Sequence, residues 1–347
     1  MEQIRNPFIG HPAQLIRIND YKMVGGFADG VRATDVNNGA VQFTVLADRG
    51  MDMPFFSFKG VNTGYVAPVG VSSPAFFDDK GLGFLRNFNA GFLTTCGVTY
   101  MGAACDADGA HYGLHGRIGN TPAEEYSARL TQNGGVFGAS ITGNMRESVL
   151  FGENVTLSRE LSCAHEEKGF SFTDTVVNRG YRKEQHMLLY HFNFGYPLLD
   201  VGTELIIPAS SSAPRDAVAE TGYDVRGEVP APISGYKEMC YFYDLLADAD
   251  GQTCVGAYNH NLGFGVVIEF DRTVLEHFTQ WKMVGEGEYT IGMEPATATP
   301  MGFAAEREMG HVKYMEPGEV RKYEFKISVI EGKTELAELR NRIAKFC

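Results

Sequence analysis

Apolar and polar positions alternate with a period of two along most of this chain, which predicts strands. The clearest case is Tyr323-Glu324-Phe325-Lys326-Ile327-Ser328-Val329, with every second residue apolar. Val155 to Cys163 alternates in the same way with one charged exception, and similar runs lie near residues 12–18, 30–36, 40–47, 169–178, 186–194, 263–270 and 274–283. Glycines punctuate these runs, as expected of many strands joined by turns. A helical period is convincing only near the end. There Thr334 is placed to cap Glu335 to Phe346, Leu336, Leu339 and Ile343 share a face, and Glu338 and Arg342 form an i,i+4 pair. A shorter helix is expected within 74–90. With no linker and no repeat of 20–50 residues, the pattern predicts one mainly antiparallel β domain over 1–347. Residues 1–19 would form an N-terminal extension and 333–346 a C-terminal helix.

Composition narrows the partners. The chain has 347 residues, 44% of them hydrophobic and 21% charged, enough to bury a large core. A net charge of −13 argues against nucleic acid and against an anionic membrane surface. The N-terminal Met1 to Pro7 lacks the apolar run of a signal peptide, and no window reaches the length of a membrane span. Six scattered cysteines without a Cys-x-x-Cys pair read as reduced thiols of a cytoplasmic protein. A homodimer is left open.

Three segments carry candidate chemistry. If 186–195 is a strand, Leu188, Tyr190, Phe192, Phe194 and Tyr196 form an apolar face, while Met187, Leu189, His191, Asn193 and Gly195 share the other. A polar pair, His191 and Asn193, on an otherwise hydrophobic strand predicts a lined cavity. A buried histidine bonded to backbone is the alternative. In Tyr289 to Glu294, Thr290, Gly292 and Glu294 share a face on which glycine leaves room for a ligand. The same test groups Gln280 with Lys282, opposite Trp281, the only tryptophan.

His111 and His115 are four apart in His111-Tyr112-Gly113-Leu114-His115-Gly116-Arg117, a metal-binding spacing on a helix. Gly113 and Gly116 make a helix improbable there, so no metal or cofactor is expected. In an extended segment, His115 and Arg117 would offer donors to hydroxyls. Arg49, in Leu46-Ala47-Asp48-Arg49-Gly50-Met51-Asp52, would either fork onto a sugar or pair with Asp48 or Asp52. A carboxylate that takes a proton from a hydroxyl and an imidazole that delivers one to a ring oxygen are what ring-opening sugar chemistry needs.

Leu46 to Asp52, Thr94-Thr95-Cys96-Gly97, Leu114-His115-Gly116-Arg117, Gln280-Trp281-Lys282, Glu294-Pro295 and Met315-Glu316-Pro317-Gly318-Glu319 together resemble the aldose 1-epimerase (galactose mutarotase-like) superfamily, in its aldose-epimerase-related branch of unknown function. The likeness runs from about residue 20 to 331. It implies a β-supersandwich with a sugar cleft, Glu294 as base, His191 as acid and His115 as a second sugar-contacting histidine. It also implies a monosaccharide or sugar derivative as partner, with Arg49 as a substrate-positioning arginine. Arg117, Asn193, Gln280, Lys282 and His111 are further candidates for substrate binding. Arg117 stands where small residues are usual in mutarotases, and Tyr190-His191 replaces their Asn-His. With Lys282, Arg117 would favour an acidic or phosphorylated sugar. Two alternatives stay open: a non-catalytic carbohydrate-binding or sensing protein, and an epimerase or lyase acting at another carbon of a sugar or sugar acid.

Overall fold

The structure, a computed structural model, describes residues 7–81 and 83–347. Every ladder between its strands is antiparallel, and two large sheets carry the core. The eight-stranded sheet runs in the order Glu124–Asn133, Val136–Ser148, Asn154–Ala164, Gly169–Asn178, Val320–Glu331, Phe264–Asp271, Gln252–Asn259, Glu204–Ile206. The seven-stranded sheet runs Ala209–Pro214, Met239–Leu245, His277–Gly285, Glu288–Ala296, Glu184–Gly195, Lys313–Met315, with Leu93–Val98 also paired to Glu184–Gly195. A five-stranded sheet covers residues 17–62. This is the mainly β, antiparallel architecture that the alternation predicted, with two large sheets face to face as the resemblance implied.

The sheets meet through aromatic side chains. Tyr190 lies 4.4 Å and Phe192 5.6 Å, ring centre to ring centre, from Phe325 of the opposite sheet, and Tyr190 is 6.0 Å from Phe172. Leu188, Tyr190, Phe192 and Phe194 all enter this core, as the parity of the strand requires. Tyr196 does not; it lies beyond the strand and is exposed. A buried polar network is set into the same layer. Arg159 grips Asp174 with two bonds of 2.8 and 2.7 Å, Tyr190 donates to Asp174 at 2.8 Å, and Arg159 donates to Thr95 at 2.9 Å. Thr95 in turn donates its backbone N–H to Asp52 at 2.9 Å. Removing Arg159 or Asp174 alone would strand the other as a buried charge.

Three expectations about helices need correction. No α-helix occupies the described part of 74–90; Pro74–Phe76 and Phe84–Arg86 are isolated 3-10 turns. The C-terminal helix spans Gly332–Ile343 with Glu331 as its cap, so Thr334 lies inside it. Its Arg342 reaches Glu269 on the sheet rather than pairing with Glu338. Leu336 and Leu339 are buried against that sheet as expected. The extension expected over 1–19 falls partly on residues 1–6, outside the described residues, and its end falls within the strand Arg17–Lys22. The six cysteines form no disulfide, and no helix among the described residues is long and apolar enough to cross a membrane.

Candidate active site

His191 and Glu294 belong to neighbouring strands of the seven-stranded sheet. The flanking pairs Leu189–Ala296 and Phe192–Met293 leave them directly opposite one another. Their side chains stand on the face away from the sandwich core, and His191 Nε2 lies 3.2 Å from Glu294 Oε1. The next row of that face holds Asn193, Gly292 and Trp281, which are register partners in turn. A side chain at Gly292 would put its first carbon 2.6 Å from Glu294 Oε1 and 2.9 Å from the Trp281 Cβ. Glycine there makes room for the neighbouring side chains as much as for a ligand.

His115 arrives from a separate loop. Its backbone has φ of 57°, a strained region for a residue with a side chain. Two bonds hold it there: His115 N–H donates to the Gly102 carbonyl at 2.9 Å, and Gly97 N–H donates to the His115 carbonyl at 2.9 Å. Gly116, at φ of 70°, lies so close to Tyr100 and Gly97 that no larger residue fits. The loop is thereby pressed against the strand Leu93–Val98, which itself pairs with the His191 strand. The result is that the rings of His115 and His191 are 5.7 Å apart.

These groups line a cavity of about 300 Å³. His191 is also flanked edge-on by Trp281 at 5.2 Å and Phe88 at 5.3 Å. Burial holds both histidines uncharged, His115 pushed down to about 4 and His191 to about 3, the latter helped by the proximity of His115. Burial pushes Glu294 well above the usual carboxylate range, Glu238 adding to the effect and Arg215 opposing it. Glu294 Oε1, His191 Nδ1, His115 Nδ1 and Asn193 Oδ1 are buried without a hydrogen-bond partner among the described residues. Buried polar atoms are normally paired, so this concentration makes the cavity the candidate site.

Arg215 and Glu238 also line the cavity, and neither was singled out from the sequence. Arg215 follows the strand Ala209–Pro214 and Glu238 precedes Met239–Leu245, so both stand at strand ends where alternation carries no signal. Arg215 bonds Asp216 at 2.8 Å and Glu238 at 3.0 Å, and Trp281 Nε1 donates to the other oxygen of Glu238 at 3.0 Å. The lone tryptophan, on the face shared with Glu294, was the signal that could have marked this wall.

The remaining sequence candidates do not line the cavity. Arg49 is buried, and its guanidinium donates to the carbonyls of Gly119, Ser72 and Asn87 at 2.8, 2.6 and 3.1 Å. It ties loops together and has no fork to offer a sugar. Lys282 donates to the carbonyls of Val225 and Glu228 at 2.7 and 2.8 Å. Gln280 is fixed between the Tyr243 hydroxyl at 2.6 Å and the Arg226 carbonyl at 2.8 Å. Gln280 pairs with Met293 and Lys282 with Ile291, so both stand on the core side of the sheet, opposite the cavity. Arg117 pairs with Asp79 at 2.9 Å and His111 with Asp106 at 2.8 Å, the latter on the exposed hairpin of Cys105–Ala107 and Ala110–Tyr112. Asn193 lies beneath the cavity, its amide N–H groups donating to the carbonyls of Gly91 and His191 at 3.1 and 2.9 Å.

The match to the family described as "Domain of unknown function (DUF4432)" covers residues 28–329. The chain belongs to that family. Among solved structures, it is similar to a candidate aldose 1-epimerase from Klebsiella pneumoniae, with 27% identity, a TM-score of 0.91, and coverage of 96% of this chain and 90% of that one. A galactose mutarotase-like protein from Clostridium acetobutylicum shares the fold at 14% identity and a TM-score of 0.64, covering 92% of this chain and 99% of that one. A candidate aldose 1-epimerase from Escherichia coli K12 does so at 14% identity and a TM-score of 0.55, covering 91% of this chain and all of that one, 100%. No curated protein matches the chain in sequence.

Proposed function

We propose that this DUF4432 protein is a carbohydrate isomerase of the aldose 1-epimerase type, interconverting the anomers of a monosaccharide by opening and reclosing its ring. The observation that carries the proposal is the 3.2 Å approach of His191 Nε2 to Glu294 Oε1 in a cavity of about 300 Å³, with the His115 ring alongside.

The pair holds one exchangeable proton. Before a sugar binds, burial favours it on Glu294; its transfer to His191 Nε2 leaves Glu294 a carboxylate able to accept the proton of the anomeric hydroxyl, while His191 donates to the ring oxygen. The bond between the anomeric carbon and the ring oxygen breaks, and the free aldehyde rotates about the adjacent carbon–carbon bond. The ring oxygen then attacks the other face as the two protons return. His115, uncharged and unpaired at Nδ1, supplies a neutral hydrogen-bonding group to the sugar. Exclusion of water by the aromatic wall strengthens each of these interactions.

The test is NMR exchange spectroscopy of anomer interconversion over a panel of neutral, acidic and phosphorylated sugars. Wild type should accelerate exchange of at least one sugar, and Glu294→Gln should lose about 10²- to 10⁴-fold while retaining binding. Binding with exchange no faster than buffer throughout the panel would refute the isomerase and favour a sugar-binding protein.

A further inference from the structure

We infer that Glu238 is a specificity-determining residue: by cancelling the charge of Arg215, it turns the cavity toward uncharged sugars and away from sugar acids and sugar phosphates.

A sugar that carries a carboxylate or a phosphate needs a cation not already matched. Arg215 is the only lysine or arginine among the described residues that line the cavity, and two carboxylates already face it. Its Nε donates to Asp216 at 2.8 Å and one Nη donates to Glu238 at 3.0 Å, while the other Nη donates to the Cys240 sulfur at 3.0 Å. Asp216 is held ionised, its carboxyl drawn below the usual range by the Ala219 N–H and by Arg215. Trp281 fixes the second oxygen of Glu238. Two carboxylates against one guanidinium leave this wall with a negative surplus. His115 and His191 do not offset it, because burial keeps both uncharged. Arg117 and Lys282, the cations that the sequence offered to an acidic or phosphorylated sugar, are bound elsewhere, to Asp79 and to backbone carbonyls. An anionic group entering the cavity would therefore lose water and meet like charge with no free partner.

Hydroxyls meet no such obstacle. Three of the five N–H groups of Arg215 are engaged, which leaves two as donors, and each oxygen of Glu238 keeps a lone pair beyond its one bond. Donors and acceptors side by side suit groups that both donate and accept. The discrimination comes from repulsion of the charged analogue rather than from a tighter fit to the uncharged one. The Glu238 side chain is about half exposed, so the repulsion is open to screening by salt. This assignment of substrate class rests on the reading of the cavity as a sugar site.

Trp281, the only tryptophan, stands 5.2 Å from His191, so its fluorescence reports ligand entry without any need for turnover. Wild type and Glu238→Gln would be titrated with matched pairs: glucose and glucuronate, galactose and galacturonate, glucose and glucose 6-phosphate. Wild type should bind the uncharged member of a recognised pair about tenfold or more tightly than its charged partner at low salt. Raising the ionic strength to about 0.5 M should narrow that ratio. Glu238→Gln keeps an acceptor for Trp281 and should narrow it about three- to tenfold at low salt. Charged members that bind wild type as tightly as uncharged ones would overturn the inference, as would an unchanged ratio in folded Glu238→Gln. If that variant does not fold, the wild-type ratio and its salt dependence decide. Failure of every sugar to bind would overturn it together with the sugar-site reading. Uncharged sugars that bind without faster anomer exchange would sink the isomerase and leave this inference standing. Faster exchange led by the charged sugars would do the reverse.

Discussion

Trp281 donates its indole N–H to Glu238 at 3.0 Å while its ring stands edge-on to His191, 5.2 Å away. One side chain thus anchors the charged wall of the cavity and borders His191 on its floor. Trp281→Phe keeps the ring and removes the donor, leaving Glu238 to Arg215 alone. The expected effect is a KM raised about three- to tenfold, from roughly 1 kcal/mol of lost anchoring, with kcat changed much less. Steady-state exchange kinetics on the preferred sugar would check the split.

The pH profile follows from two shifts of opposite chemical kind. Burial raises Glu294 well above the ordinary carboxylate range and lowers His191 to about 3. Between those values the pair holds one proton, the state that supplies both an acid and a base. Turnover should therefore survive well below the ordinary histidine pKa and fall on the alkaline side as the shared proton is lost. These limbs belong to the pair as a unit. A kcat/KM profile with an acid limb near pH 6.5, the unshifted value for histidine, would contradict this.

Lys282 and Arg49 should matter to folding rather than to the choice of sugar. Lys282→Met leaves the carbonyls of Val225 and Glu228 without their donor, and a loss of about 2–4 kcal/mol is expected. Chemical denaturation would measure it. The ranking of neutral, acidic and phosphorylated sugars should be unchanged in the folded fraction.

Glu147 offers a stability test apart from the His191–Glu294 pair. It is buried, accepts a bond from Thr99, and is pushed up to about 7 by burial. A folded-state pKa above the unfolded value means that the native state binds the extra proton. Stability is therefore lost as pH rises from the unfolded value near 4.5 through about 7. Glu147→Gln removes that loss and keeps an acceptor for Thr99. The variant should be more stable than wild type at pH 8 by up to about 3 kcal/mol, with the difference closing toward pH 4. Thermal unfolding at both pH values would decide it.

Alternation made the strands and the two faces of Glu184–Gly195 legible, because only a strand buried on both sides carries aromatic residues at every second place and a histidine between them. The same test grouped Gln280 with Lys282 correctly but could not say which side of that strand bears the cavity. Both sides are covered, and backbone carbonyls from residues 225–228 satisfy the polar groups on the core side. The turns at 74–76 and 84–86 imitate a helix in composition, but Pro74 and Gly83 confine each to a few residues. Arg215 and Glu238 were invisible because strand ends obey no period. Their meeting depends on a pairing between segments more than twenty residues apart.

The strand that carries His191 also sends Tyr190 into the Asp174–Arg159 network on its other side. A slip of one residue would put a histidine into an aromatic core and a phenol into the cavity, so neither side can move without the other. In the wall, Trp281 is tied in the same way, since Gln280 and Lys282 on either side of it face the core, whereas Arg215 and Glu238 stand at strand ends. The register thus fixes His191 opposite Glu294, while Arg215 and Glu238 can be exchanged without disturbing it.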